Sequence, residues 1–383
     1  MGRDLLAGLG GETAKAVIIY ATINHDQTAA VEQITKLFGP GIPIIGCSTP
    51  GMVSNENIVE EGFALGGMVL GGDALQAAAA VAKTFQENSL AKGKSMGQSL
   101  KASLGKPDLV TLFYDPLCHG DVEQMVAGLH AEVDCPVVGG AAGQPFGPPI
   151  RTFQYFGNEV FSQGAVALGL KGPFTVDIGV GNGTVPSGVV MTVTKTDGPC
   201  ILAIDDAPAI ECWSRATGYS TSEILHQNYM AAWAIAIERR RQVEGEAGPV
   251  EKVSHLIRGA FGIDVKTGSI IMQTAIPEGT KIRIHHRDVD AVLKGTADMG
   301  KEISAKLAQR KPWAVLGFEC AACTSPFLGI EATVDENRAL RAAVAPQTPW
   351  LGMMAWGEIA PCLGLPAFHN YTYALAVLTE TAS

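Results

Sequence analysis

The sequence predicts an α/β protein with mixed sheets, helices packed on those sheets, and two related domains. Two observations lead to this prediction. A strand–helix–strand pattern occurs three times along the chain, and 383 residues are too many for one ordinary core. In each repeat another strand returns after few residues, which indicates antiparallel pairing, so an α+β description is the alternative.

The composition indicates a compact globular protein, since 47% of the residues are hydrophobic, 17% are charged and 45 are glycine. The net charge of −10 argues against a nucleic-acid surface. The basic run at residues 239–241 is followed by Glu244 and Glu246, which is typical of a solvated helix end. No stretch approaches the length of a membrane span, and residues 1–12 lack the features of a signal peptide. We therefore expect a cytoplasmic protein with no nucleic-acid or membrane partner.

The three repeats have the same order of elements: an apolar strand, a helix, a Pro-x-x-Gly strand, a glycine-containing loop and a second apolar strand. They begin at AVIIYATI (16–23), DLVTLFYD (108–115) and WAVLGFEC (313–320), and they end at EGFALGGMVL, GAVALGL and NYTYALAVL. Continuous apolar runs suit strands that are buried on both faces. The stretches between them carry apolar residues at helical spacing, as at Val31, Ile34 and Leu37. Each repeat therefore predicts two parallel strands joined by a right-handed helical crossover.

The segment between the second and third repeats supplies the remaining elements. Residues 176–198 predict two strands joined by a Gly- and Pro-rich turn, and APAIECWSRATG (207–218) predicts a short helix. We place the domain boundary there, which gives domains at 1–210 and 211–383. The second domain should hold a helix in YMAAWAIAIERRR (229–241), strands within 253–287 and a helix over 288–310.

The loops that follow the three Pro-x-x-Gly strands are CSTPG (47–51), GAAGQ (140–144) and MMAWGE (353–358). Open α/β sheets bind ligands at the carboxyl ends of their strands. If the repeats share one geometry, the three loops should face a common concave ligand site. The alternative is that the glycines only make turns.

Several motifs resemble the FIST domain in its stand-alone bacterial form. IIGCSTPGMV, VVGGAAGQ and residues 189–213 resemble its N-terminal half, and residues 253–288, VLGFECAACTSPFLG and WGEIAP…FHNYT resemble its C-terminal half. The resemblance implies a sensory module of signal transduction that binds a small ligand such as an amino acid. It also implies an alternative, a haem-binding nitric-oxide sensor that acts on a partner histidine kinase.

The residues that correspond to the functional motifs of the FIST family, according to this resemblance, are Gly46, Cys47 and Ser48, Gly357 and Glu358, and His369 and Asn370. Met52 and Gln144 stand where acids are expected, which removes two carboxylates that an amino-acid ligand could use. With their loop neighbours, the residues predicted to line the ligand site are Gly46, Cys47, Ser48, Thr49, Gly139, Gly140, Ala141, Trp356, Gly357, Glu358, His369 and Asn370.

The His369 imidazole has three interpretations: a structural histidine, a ligand contact, or the axial ligand of a haem iron. Glu358 would need a partner such as His369 or a cationic ligand, unless it is an exposed turn residue. Asn370 would cap the loop or hold a ligand carboxylate. His119 is a second candidate for a metal or haem contact, whereas His285 and His286 should point to opposite faces of a strand.

The cysteines and the GCSTPG turn raise an enzyme alternative. The eight cysteines are expected to be reduced thiols, and Cys320 and Cys323 to be small buried residues or, alternatively, a redox or metal pair. Cys47 or Ser48 could be the nucleophile of a hydrolase, but Pro50 occupies the last glycine position of the nucleophile elbow. Our interpretation is therefore a sensory protein and not an enzyme, with the ligand between its two domains and the output delivered by a separate partner.

Overall fold

In the computed structural model, the described residues are 2–55, 57–60, 62–145, 147–226, 232–245, 248–307 and 310–381. They form mixed sheets with helices packed against them, which confirms the predicted α/β class. Within this part of the chain, no helix combines the length and the apolarity that a membrane crossing needs.

The first unit has the predicted pairing, with β1 parallel to β2 and antiparallel to β5. Its helix begins after Asp26, whose side chain accepts a hydrogen bond from the backbone N of Ala29. The elements are α1 (Gly2–Gly8), β1 (Ala14–Ala21), α2 (Gln27–Phe38), β2 (Ile44–Ser48), β3 (Met52–Ser54), β4 (Asn57–Val59) and β5 (Leu65–Gly71).

The second unit repeats this arrangement, with β7 parallel to β8 and antiparallel to β11. A further strand and helix, β6 and α3, precede it. The elements are β6 (Gln76–Lys83), α3 (Ser89–Leu104), β7 (Leu109–Tyr114), α4 (Val122–Val133), β8 (Val137–Ala141), β9 (Gln154–Phe156), β10 (Glu159–Phe161) and β11 (Gly164–Lys171).

The elements of the middle of the chain are β12 (Phe174–Asn182), β13 (Thr184–Asp197), β14 (Cys200–Ile204), β15 (Ala207–Pro208), α5 (Ala209–Thr217), α6 (Thr221–His226), β16 (Trp233–Gly245), β17 (Gly248–Arg258), β18 (Ala260–Asp264), β19 (Ser269–Met272) and β20 (Lys281–Arg287). The strands from β13 to β20 form a separate, antiparallel sheet with the order β17-β16-β20-β13-β14-β19-β18, in which β15 pairs with β14. The predicted strand pair within 176–198 forms as β12 and β13, but the two strands belong to different sheets.

The prediction of a helix over 229–241 is wrong for residues 233–241, which the structure describes as a strand. Residues from Trp233 onward form β16, which pairs with β17 and β20. Ile235 and Ile237 pack into one core cluster, whereas Ala234 and Ala236 pack into another. The alternation of large and small residues is a period of two, so it is the signal of a strand buried on both faces.

The third unit again places a parallel pair, β21 and β22, beside an antiparallel strand, β25. The elements are α7 (Val289–Leu307), β21 (Pro312–Cys320), α8 (Ser325–Leu328), α9 (Ile330–Val344), β22 (Trp350–Ala355), β23 (Glu358–Cys362), β24 (Leu365–His369) and β25 (Thr372–Glu380).

The units exchange hairpins in a cycle, which the sequence did not predict. The hairpin β3–β4 of the first unit joins the sheet of the third unit through β22, and β9–β10 of the second unit joins the sheet of the first through β2. The hairpin β23–β24 of the third unit joins the sheet of the second through β8. Each glycine loop is therefore the crossing between two sheets.

The three sheets meet around an aromatic cluster formed by one residue from the first strand of each unit. Tyr20, Phe113 and Phe318 occupy corresponding positions in β1, β7 and β21, since they pair with Cys47, Gly140 and Met353. The Tyr20 and Phe113 ring centroids are 5.4 Å apart, and those of Phe113 and Phe318 are 6.3 Å apart. Strands from both sides of residue 210 share the third sheet, in which β12 pairs with β25.

Candidate functional site

The three glycine loops converge beside the aromatic cluster, and we call their meeting point the loop junction (residues 46–51, 139–144 and 353–358). The backbone N of Ala141 donates to the carbonyl of Gly357 at 2.8 Å, and Thr49 Oγ1 donates to the carbonyl of Met354 at 2.8 Å. Glu358 pairs with Gly140 across the β8–β23 ladder. The hairpin exchange causes this convergence, because each crossing segment passes from one sheet to the next directly after β2, β8 or β22.

The first two loops at the junction are buried. Gly46, Cys47, Ser48, Thr49, Gly139, Gly140 and Ala141 are all buried. Ser48 Oγ accepts a hydrogen bond from the backbone N of Phe153, which aligns β9 with β2. Burial raises the pKa of the Cys47 thiol well above its ordinary value, which does not suit a nucleophile.

Glu358 is the buried carboxyl group of the junction. Its Oε2 accepts hydrogen bonds from the Thr372 backbone N at 3.2 Å and from Thr372 Oγ1 at 2.9 Å. Its Oε1 has no hydrogen-bond partner among the residues that the structure describes. Burial, and then the Cys320 thiol beside it, raises the pKa of Glu358 well above its ordinary value. This residue is therefore not the exposed turn acid that the sequence left open.

His369 lies opposite Glu358 in the β23–β24 hairpin, but its Nε2 faces the carbonyl of Ala360 at 3.2 Å. A carbonyl oxygen only accepts, so Nε2 carries the proton. Burial, and then the Arg258 guanidinium, lowers the pKa of His369 to about 3, which keeps the imidazole neutral. This arrangement does not fit haem ligation through Nε2, because an iron ligand must offer an unprotonated nitrogen with open space beyond it.

Asn370 ties the hairpin to the antiparallel sheet. Its Oδ1 accepts from the backbone N of Gly259 at 2.9 Å, and its Nδ2 donates to Gln273 Oε1 at 3.0 Å. Both ends of the amide are therefore occupied within the protein. A capping role accounts for these contacts.

Arg258 is a central residue of this region that the sequence did not single out. Its buried guanidinium donates to the carbonyl of Phe368 and to the carboxylate of Glu123, and it stacks 4.9 Å from the centre of the Phe368 ring. These contacts fasten β24 to α4 and to β17. The only signal was one cation within the apolar run SHLIRGA (254–260).

The CAAC cysteines are buried thiols at the end of β21, and none of the eight cysteines forms a disulfide. Arg287 donates to the carbonyl of Ala322 at 2.6 Å and contacts Cys323 Sγ at 3.5 Å. His119 is exposed, and His285 is buried whereas His286 is exposed, in agreement with opposite faces. In the described ranges, no group of three or more His, Cys, Asp or Glu side chains is placed to hold a metal ion.

Two adjoining family domains match this chain. The FIST N domain matches residues 15–207 and the FIST C domain matches residues 209–361. The chain belongs to the FIST family. FIST domains are generally sensory domains of signal transduction.

The chain is also similar to curated proteins that are uncharacterized. A Mycobacterium bovis protein is 24% identical over 99% of this chain and 93% of its own length. A Methanocaldococcus jannaschii protein is 25% identical over 52% of this chain and 40% of its own length. A crystal structure of a chorismatase aligns with 97% of this chain and 94% of that one at a TM-score of 0.35 and 10% identity, which supports no conclusion about activity.

The loop junction joins the two FIST domains, since Gly140 belongs to FIST N and Glu358 to FIST C. The half-buried Trp356 ring reaches back to FIST N at Gly143. The residues predicted from the three glycine loops and the His-Asn element therefore come together in or beside one region. Their role in binding a ligand stays a prediction.

A cavity of about 770 Å³ opens within FIST N, at the carboxyl ends of β1 and β2, and we call it the FIST N cavity. Gln144 organises the segment that covers it, which comprises residues 144–145 and 147–151. Its Nε2 donates to the carbonyls of Gly147 at 2.8 Å and Pro149 at 3.1 Å, and its Oε1 accepts from the Arg151 backbone N at 2.8 Å. The cavity is lined by Ile23, Asn24, His25, Gln27, Thr28, Gly62, Gln144, Pro145, Gly147, Pro148, Pro149, Arg151, Phe153 and Val160.

Proposed function

We propose that this FIST protein is a small-ligand sensor, that the ligand enters the FIST N cavity, and that a separate signalling protein such as a histidine kinase receives the output. The observation that carries the proposal is the position of this cavity. It has the size of a metabolite site and lies where α/β sheets bind ligands. The segment that covers it leads directly into the loop junction.

The lining of the cavity favours a ligand with an anionic group. Arg151 is its one charged side chain among the described lining residues. His25 Nε2 is buried and has no hydrogen-bond partner in the described ranges, so it can bind a ligand atom. Gln27 and Thr28 open α2, and their backbone N–H groups lie outside the hydrogen bonds of the helix, whereas the Ala29 N–H already donates to the Asp26 carboxylate. An amino acid or a similar carboxylate metabolite fits this set.

The apolar residues of the lining limit the shape of the ligand. Ile23, Phe153 and Val160 form part of the wall, and three prolines contribute to the covering segment. A ligand with one carboxylate and a small apolar body would place its charge near Arg151 and its body against this wall.

The response would pass through Gly143. Its backbone N donates to the Ser48 carbonyl at 3.0 Å, and its Cα faces Pro50 and Trp356. Movement of the neighbouring Gln144 segment would therefore shift Trp356 and the crossing loop that carries Glu358. The predicted residues of the loop junction would then respond to the ligand without contacting it. If the ligand binds more tightly to one of two arrangements of FIST N and FIST C, binding increases the population of that arrangement.

A thermal-shift screen followed by calorimetry tests this proposal. We expect one or more small carboxylates or amino acids to raise the unfolding temperature, and the corresponding amides to have little effect. Arg151→Gln should weaken binding by about tenfold or more, the effect of losing one charge-assisted hydrogen bond. Arg338→Gln, at an exposed arginine on α9, is the control. Binding that is equal in Arg151→Gln and the control would place the ligand elsewhere, and the absence of any stabilising carboxylate would reject the ligand class.

A further inference from the structure

A second, much smaller cavity lies between β12, α7, β21, α9 and β25, and two buried carboxyl groups face it. Glu319 on β21 is 2% exposed and Glu336 on α9 is 8% exposed. The cavity has about 10 Å³ available to the centre of a water-sized occupant, which is enough for one. Asn182, an exposed residue, lies at its edge and marks the side that is open to solvent.

The hydrogen bonds around the cavity fix which carboxyl oxygens are occupied. Tyr373 OH donates to Asn337 Oδ1 at 2.9 Å, and this bond orients the Asn337 amide. Asn337 Nδ2 then donates to Glu319 Oε2 at 3.0 Å. Thr296 lines the same cavity as Glu336 and lowers its pKa, against the larger effect of burial. The Glu319 carboxyl group is therefore held as an acceptor by a neutral partner.

The two remaining oxygens are buried without a hydrogen bond. Glu319 Oε1 and Glu336 Oε2 have no partner in the part of the chain that the structure describes. A buried carboxyl oxygen without a partner is costly, so an occupant that attracts both oxygens is expected. Burial, followed by the like charge of Glu336, raises the pKa of Glu319, and Glu60 acts in the same direction. A second negative charge beside this cavity is therefore disfavoured unless a cation accompanies it.

We propose that the cavity binds one monovalent cation of about the size of water, potassium or ammonium, between Glu319 Oε1 and Glu336 Oε2. Such an ion contacts both oxygens and offsets their repulsion. A water molecule would contact both oxygens but leave the charges uncompensated. Two carboxylates with nearby hydroxyl and backbone oxygens suit a hard cation, and the absence of a three-residue His, Cys, Asp or Glu set in the described ranges argues against a transition metal.

The proposed ion would hold α9 against β21 in FIST C. It is independent of the ligand that we propose for the FIST N cavity, because the two cavities share no lining residue. Its effect should therefore appear in stability without any organic ligand.

The test compares unfolding temperatures of the whole protein at pH 8 and constant ionic strength in choline, sodium, potassium and ammonium chloride. Burial raises the pKa of Glu336 to about 7, so its carboxyl is mostly ionised at pH 8. We expect potassium or ammonium to raise the unfolding temperature by about 3 °C over choline, with saturation as the salt is titrated. Equal unfolding temperatures in all four salts would overturn the proposal in favour of a water molecule or a shared proton.

Variants and diffraction provide independent readouts. Glu336→Gln should abolish the difference between potassium and choline, because it removes one of the two negative charges that bind the ion, whereas Glu331→Gln on the exposed face of α9 should keep it. A Glu336→Gln protein that still responds to potassium would reject the site. If that variant does not fold, anomalous diffraction from wild-type crystals soaked in a thallium salt tests the site, with thallium in place of potassium. An anomalous peak between Glu319 and Glu336 supports the site, and the absence of a peak there rejects it.

Discussion

Gly143 of FIST N packs directly against Trp356 of FIST C, so that a Cβ atom at residue 143 would lie 2.9 Å from Trp356 Cδ1 and 2.8 Å from Pro50 Cδ. This contact joins all three crossing loops at one point. A side chain at residue 143 would force the loops apart.

Gly143→Ala should therefore destabilise the protein by about 1–3 kcal/mol, the usual cost of overpacking a tight contact. Gly41→Ala is the matched control, because a Cβ at that exposed glycine meets nothing within 4 Å. Urea denaturation of both variants measures the difference. If Gly143→Ala is as stable as Gly41→Ala, the junction is looser than this geometry implies.

Arg258→Ala should cost about 3–5 kcal/mol of unfolding free energy. The substitution removes a buried cation, a donor to the Phe368 carbonyl and the ion-pair partner of Glu123, whose carboxylate keeps a hydrogen bond from the Phe368 backbone N. Arg240→Ala is the control, since its ion pair with Glu251 lies between side chains that are 55% and 46% exposed and should contribute less than about 1 kcal/mol. Similar losses in the two variants would show that the Arg258 contacts do not hold β24 in place.

Glu358→Gln should flatten the dependence of stability on pH. The pKa of Glu358 is raised in the folded state, so the folded protein binds a proton that the unfolded chain releases above about pH 4.5. Stability from this group is complete at lower pH and is lost as the pH rises, by up to about 1.4 kcal/mol per pH unit. Guanidinium denaturation between pH 5 and pH 8 should show a smaller loss in Glu358→Gln than in the wild type. Glu87→Gln, an exposed control, should retain the wild-type slope.

His369→Gln should act in the opposite pH direction. The folded-state pKa of His369 is about 3, against an ordinary value of 6.5, so the folded protein loses stability as the pH falls below 6.5. A glutamine can still donate to the Ala360 carbonyl but takes up no proton. We expect the stability of His369→Gln to fall less between pH 6.5 and pH 4 than that of the wild type. The exposed His286→Gln variant serves as control, and a wild-type-like loss in His369→Gln would contradict a neutral buried imidazole.

A visible spectrum separates the ligand sensor from the haem sensor. Because Nε2 of His369 is engaged with the Ala360 carbonyl, we expect protein from haem-supplied cells to show no Soret band that depends on His369. A Soret band that disappears in His369→Ala would restore the haem alternative and require the β23–β24 hairpin to open.

The sequence alone determined the local content of the three units. Continuous apolar runs, helical spacing and Pro-x-x-Gly starts depend on near neighbours in the chain, so they predicted the parallel pairs β1–β2, β7–β8 and β21–β22 and their antiparallel partners. The motifs around Glu358 and His369 also indicated the FIST family, which the matches to the FIST N and FIST C domains confirm.

The tertiary structure decided which surfaces those units bury and where space remains. The hairpin exchange and the buried partners of Arg258 depend on contacts between residues that are far apart in the chain. Periodicity reports which face of an element is apolar but not which element covers it. For the same reason, the role of Gln144 in the segment that covers the FIST N cavity appears only in the packed fold. The position of the Glu319 and Glu336 carboxyl groups beside one small cavity in FIST C likewise appears only there.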